Sequence, residues 1–168
     1  MENTTNTVLL ISNVRLNGSG GRSAKFATRQ VLLSDAGWNM KVLHVSKPYI
    51  WSFFPAIIRG VYFARRENID VIHSVNNPFH LHLIGFLVAL FSRLPWLSEL
   101  RDALTTDPSL VQDSARSKLR EVVEWLVAEK ATRLVWLNGI QVPKENYFQQ
   151  KYDLSGDRTV KMPHTGYV

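Results

Sequence analysis

Cysteine is absent from all 168 residues, which excludes a disulfide framework and every thiolate-based metal or redox site. The opening Met-Glu-Asn-Thr-Thr-Asn-Thr carries neither the basic nor the apolar region of a signal peptide, and this points to a cytoplasmic protein. The apolar run from Leu81 to Leu90 is too short to span a bilayer and contains His82, so it reads as a buried crossover helix. No internal repeat, low-complexity tract or linker interrupts the chain, although 103–113 is polar and reads as a loop. Acidic residues are scarce beside basic ones, 14 against 20, leaving a net charge of +6. That balance fits an anionic partner: nucleotide phosphates, a membrane surface or nucleic acid. The basic residues are dispersed, and no helix-turn-helix, zinc knuckle or aromatic strand motif accompanies them, which disfavours nucleic acid.

What the chain does contain is alternation. Apolar strand runs at 8–11, 41–45, 70–74, 96–100, 133–137 and 158–162 interleave with helical patterns near 21–36, 51–66, 78–92, 115–130 and 143–151. Such alternation predicts crossover units on a parallel sheet, an α/β, doubly wound, Rossmann-like domain. The punctuation agrees: Gly37 follows the first helix, Pro78 and Pro143 suit first helical positions, and Pro95 and Pro163 stand at element ends. With 45% hydrophobic residues, the 168 positions suit one domain with a sizeable core. In the helix near 115–130, Leu119, Val122, Val123, Leu126 and Val127 follow helical spacing opposite Lys118, Arg120, Glu121 and Glu124, predicting an ordinary core-facing helix.

In an open parallel sheet, ligands bind beyond the carboxyl ends of the strands. Gly18, Gly20 and Gly21 lie after the first strand and precede a helix whose small and apolar positions include Ala24, Ala27 and Val31. Backbone N–H groups at such a helix start favour phosphate, though glycines also make plain strand-to-helix turns. Arg22 either assists there or is a solvated first-turn residue. After the third strand, Asn76 and Asn77 can hydrogen-bond sugar hydroxyls, while Asn77 before Pro78 also suits a helix N-cap. After the fourth and fifth strands come Arg101, Asp102 and Asn138. Asp102 can orient or deprotonate a hydroxyl with Arg101 balancing its charge or binding phosphate, or the two brace the loop as a pair. No carboxylate ends the second strand and Ser23 holds the third glycine position, which argues against a dinucleotide oxidoreductase. The missing carboxylate argues likewise against a methyl transferase. His73, within an apolar strand, reads as a core histidine, and His44, His80 and His82 show no ligand spacing with nearby acids, so no metal site is expected.

Residues 47–66 hold many aromatics and four cations without an acid. Trp51, Phe53, Phe54 and Arg59 are candidates for contact with an anionic membrane surface. The same segment also suits core packing with a cleft lining.

Several of these stretches, in order, resemble the N-terminal half of the family-4 type glycosyltransferases, retaining enzymes of GT-B fold with two Rossmann-like halves. They are Val8-Leu-Leu-Ile-Ser followed by Gly20-Gly21, Leu33-Ser-Asp-Ala-Gly37 running into Lys41-Val-Leu-His-Val45, and Asp70-Val-Ile-His-Ser-Val-Asn-Asn-Pro78. Pro95-Trp-Leu-Ser-Glu-Leu-Arg-Asp102 looks like the fourth strand and turn of a subgroup with Arg-Asp there, and Lys161-Met-Pro-His-Thr-Gly-Tyr167 is similar to the passage into the hinge. The resemblance implies transfer of a sugar from a nucleotide-sugar donor to a glycan or lipid-linked acceptor, without cofactor or obligatory metal. It implies that this half holds the acceptor, that Gly20-Gly21 faces the donor phosphates, and that His164 borders the cleft. It further implies a separate C-terminal donor-binding domain, without which the 168 residues are catalytically incomplete; the composition of 47–66, if it meets lipid, adds peripheral attachment to the inner membrane face. Where many members carry a histidine after the fourth strand, this chain has Arg101-Asp102. A noncatalytic ligand-binding or assembly module on the same scaffold is the alternative.

Overall fold

Val8, Leu9, Leu10 and Ile11 form an uninterrupted apolar run, the pattern of a strand covered on both faces. In the computed structural model they lie within β1 (Asn6–Ser12) and are all buried. The structure describes residues 6–14, 21–46, 49–75, 78–100, 115–137, 148–154 and 156–162. After β1 follow α1 (Gly21–Asp35), β2 (Trp38–His44), α2 (Tyr49–Arg66), β3 (Val71–Val75) and α3 (His80–Ser92). Then come β4 (Trp96–Leu100), α4 (Ala115–Lys130), β5 (Arg133–Leu137) and β6 (Thr159–Met162). The six strands form one sheet in the order β2-β1-β3-β4-β5-β6, and every neighbouring pair is parallel. This is the predicted doubly wound α/β fold, with the strand order reversing between β1 and β3.

Parallel neighbours require crossovers of one hand, so the reversal sends α1 to one face and the later helices to the other. On the first face, Phe26 of α1 packs with Val8, Leu10, Met40 and Val75, and Leu33 lies against them. On the second, larger face, α2, α3 and α4 pack on Leu9, Ile11, Leu43, Ile72, Leu100 and Leu134. Two glycines set the closeness there. A Cβ on Gly60 would stand 2.6 Å from Val88 Cγ2, and one on Gly85 would stand 2.7 Å from Ser74 Cβ and 2.9 Å from Trp96 Nε1. Only glycine lets α2 approach α3, and α3 approach the sheet, to these distances.

Several boundaries and faces differ from the sequence reading. β2 begins at Trp38, not residue 41, because Gly37 adopts a left-handed φ of 78° and turns the chain at once into the sheet. α3 begins at His80; Phe79 occupies its N-cap with no side-chain cap, and Leu81 N–H bonds to the Pro78 carbonyl at 3.1 Å. Thus Pro78 precedes the helix proper, and Asn77 lies outside the described residues. In α1, Val31 is exposed and Phe26 makes the core contact. In α4, Val123 and Val127 are buried as predicted, but Leu119 and Val122 are exposed and Glu124 is fully buried. Glu124 accepts hydrogen bonds from Lys151 Nζ (3.0 Å) and Tyr152 Oη (3.2 Å), and this distant pairing reverses the expected polarity of that position.

Candidate functional site

The carboxyl ends of all six strands share one edge of the sheet, and the described part of that edge is tightly tied. Ser12 Oγ accepts the Val14 N–H at 3.1 Å, while the Ser12 carbonyl accepts the Val45 N–H at 2.9 Å, joining the ends of β1 and β2. Ser52 Oγ, in the first turn of α2, donates to the Ser46 carbonyl at 2.7 Å and holds that turn against the same edge. α1 follows β1 next to the β1/β3 reversal, so the N–H groups of its first turn lie at the sheet edge where ligands of such folds bind.

Gly21 is the first residue of α1, and the backbone of Arg22 lies in its first turn. Gly20, Asn76, Asn77, Arg101, Asp102, Asn138 and His164 lie outside the described residues. The strands that precede Asn76, Asn77, Arg101, Asp102 and Asn138 do end here: β3 at Val75, β4 at Leu100 and β5 at Leu137. On α2, Trp51 is 80% and Phe54 71% exposed. Arg59 is also exposed, whereas Phe53 is partly buried against the main core.

Beneath the edge lies a charged group that sequence reasoning did not single out. Glu99 of β4 is fully buried, and Arg29 of α1 donates to its Oε2 at 2.7 Å. His73 Nε2 of β3 stands 3.2 Å from the same oxygen. The Arg29 guanidinium also lies 5.5 Å from the Phe26 ring centroid, so one side chain fastens α1 to the central strands. An acid inside the Trp96–Leu100 strand was the available signal, since a buried carboxylate demands a partner; the identity of that partner, 70 residues away, was not readable.

On the opposite face, Trp96 Nε1 donates to Ser74 Oγ at 2.8 Å, and His82 Nδ1 lies 2.9 Å from Ser74 Oγ and 3.0 Å from Ser98 Oγ. Burial pushes the His82 pKa down to about 3, so this imidazole is neutral and its role is to join α3 to β3 and β4. His80 is likewise lowered by burial, to about 4. Together the two networks brace the sheet from both sides just below the crevice. Among the described residues, no group of three or more His, Asp or Glu side chains is placed to hold a metal ion, and no helix is long and apolar enough to cross a membrane.

No protein-family model matches the chain, and neither does any curated protein sequence. Solved structures do match the fold. Sucrose-phosphate synthase from Thermosynechococcus elongatus superposes with a TM-score of 0.68 at 14% identity over 94% of this chain. Anabaena HepE in complex with UDP-glucose gives 0.54 at 14% identity over 94%, and a glycosyltransferase from Rickettsia africae gives 0.56 at 11% identity over 95%. This chain spans less than half of each of these proteins, 48%, 43% and 43% respectively. The likeness establishes a shared Rossmann-like α/β fold.

Proposed function

We propose that the chain is the acceptor-side half of a retaining, family-4 type glycosyltransferase that moves a sugar from a nucleotide-sugar donor to a glycan or lipid-linked acceptor in the cytoplasm. The observation that carries this reading is the match of nearly the whole chain to less than half of a sucrose-phosphate synthase, of a glycosyltransferase and of a protein solved with UDP-glucose. A separate donor-binding half then completes the cleft, and the 168 residues are inactive alone.

In this reading the donor diphosphate lies at the start of α1, where Gly20 and Gly21 leave the backbone N–H groups uncovered and Arg22 adds charge as the nucleotide departs. The bond from the anomeric carbon to the phosphate oxygen breaks and a bond to the acceptor oxygen forms. Asp102 positions the acceptor hydroxyl and takes its proton, and Arg101 offsets the carboxylate charge. Asn76, Asn77 and Asn138 hydrogen-bond sugar hydroxyls, and His164 lines the entrance. No metal is required.

The test is turnover of UDP-glucose and other nucleotide sugars by the complete two-half enzyme, with Asp102→Asn as the variant. Loss of a general base lowers the rate by roughly 10²–10⁴-fold with folding unchanged. Wild-type turnover in that variant removes Asp102 from the chemistry. Absence of transfer or hydrolysis with every donor, in a folded complete enzyme, rejects the enzymatic reading.

A further inference from the structure

α2 is apolar on two opposite sides. Gly60, Ile57, Ala56 and Ala64 face the core. With 3.6 residues per turn, positions 51, 54, 55, 58 and 62 fall together on the other flank. There Trp51, Phe54, Ile58 and Tyr62 are 80%, 71%, 70% and 52% exposed. The row runs for about 16 Å at 1.5 Å per residue. Isolated exposed apolar residues are ordinary, but a contiguous row of this size marks a contact surface.

The charges beside the row are all of one sign. Arg59 and Arg66 border one side and Arg65 the other, and α2 contains no acidic residue. Arg66 stacks 5.7 Å from the Tyr62 ring centroid and hydrogen-bonds its hydroxyl, while Arg65 Nη2 donates to the Phe91 carbonyl at 3.4 Å. That last bond brings the exposed Leu90 and Phe91 at the end of α3 alongside. Glu67, just past the helix, is engaged by Lys41, whose hydrogen bond and charge lower its pKa.

We infer that this flank of α2 docks on an anionic lipid bilayer, with the Trp51, Phe54 and Ile58 side chains in the interface and Arg59, Arg65 and Arg66 on lipid phosphates. A bilayer surface accepts a convex helix flank, seats indole and phenol rings at headgroup level, and supplies negative charge without requiring a shaped partner. A second copy of the chain would oppose arginine to arginine, since the protein carries a net charge of +6. Trp51 stands one residue from Ser52, which is tied to the carboxyl edge, so the bound face carries the ligand crevice close to the membrane.

The test is flotation of the full chain with phosphatidylcholine vesicles, with and without phosphatidylglycerol, alongside tryptophan fluorescence. Binding is expected only with the anionic lipid, with salt-sensitive partition and a blue shift that Trp51→Phe removes. Each arginine near the surface contributes about five-fold in partition, so R59Q/R65Q/R66Q lowers it roughly a hundred-fold. W51S/F54S also abolishes binding. All five positions are exposed, so circular dichroism and the unfolding midpoint stay at wild-type values in both variants. The inference is overturned by absence of wild-type binding, by equal binding to both vesicle types, or by equal binding of the variants. A dimer in sedimentation equilibrium that W51S/F54S dissociates would also overturn it, because the face is then a protein interface. None of these readouts involves sugar transfer, so their failure is separate from failure of the proposed activity.

Discussion

Arg29→Met offers the sharpest test of how α1 is held, because it strands a charge in the sheet. The ion pair spans 2.7 Å, with the Arg29 side chain 13% exposed and that of Glu99 not exposed at all. At an effective dielectric of about 20 the gross attraction is about 6 kcal/mol. Desolvation of the two ions offsets most of it, so the pair itself adds little beyond what an apolar pair of the same size would contribute. Removing Arg29 alone leaves Glu99 buried beside His73, and breaking such a pair costs about 3–5 kcal/mol. For a chain of this length that lowers the midpoint by roughly 6–20 °C. R29M/E99M removes both charges and is expected to recover most of the loss, giving a coupling of at least about 2 kcal/mol in a double-mutant cycle. Urea unfolding followed by far-UV circular dichroism measures all four species, provided the slopes agree. An R29M chain within 1 kcal/mol of wild type, or strictly additive losses, would refute the claim that a single buried pair fastens α1 to the sheet.

Three further predictions follow from local geometry. Gly85→Ala forces a Cβ into Ser74 and Trp96 and is expected to destabilise by about 1–3 kcal/mol in the same urea assay; an unchanged midpoint would show that α3 can move away. His82 is neutral in the fold, its pKa lowered to about 3 from 6.5, so the unfolded chain binds the extra proton between those values. Its contribution to stability is therefore present above about pH 6.5 and is lost as pH falls toward 3, with a slope of up to about 1.4 kcal/mol per unit. His82→Gln removes that component, and parallel pH profiles for variant and wild type would contradict it. Arg158 Nη2 donates to the Ala128 and Ala131 carbonyls at 2.6 and 2.8 Å, satisfying acceptors at the end of α4. Arg158→Met should cost about 1–3 kcal/mol; a loss below 0.5 kcal/mol would mean that water replaces the guanidinium.

The strands that frame the candidate site were legible in the sequence, and the contacts that brace them were not. Alternating patterns located the carboxyl end of each strand to within one residue, since the period of apolar residues reports local structure directly. They said nothing of what braces those ends. Ser74, Ser98 and His82 are separated by 8 to 24 positions, and no local rule joins them; their grouping arises because β3 and β4 are adjacent in the sheet and α3 crosses directly over them. Gly60 and Gly85 lie inside helices, and only the neighbouring Val88, Ser74 and Trp96 atoms explain why glycine stands there.

By itself the sequence determined the α/β class, the parallel sheet and the elements that carry it, because periodicity and turn chemistry are properties of neighbouring residues. Tertiary structure alone decided which side of each helix is covered. α4 reads as amphipathic one way and packs another, with Glu124 drawn inward by Lys151 and Tyr152 and Val122 left outside. α2 reads equally as a membrane-contacting segment and as a core-packing one, and in the fold Phe53, Phe63 and the small and aliphatic positions on its inner flank pack inward. A helix with two apolar sides contains no local information about which one meets the sheet. The register of β2, β1 and β3 and the fit of Gly60 against Val88 make that choice, and they leave Trp51, Phe54 and Ile58 facing outward.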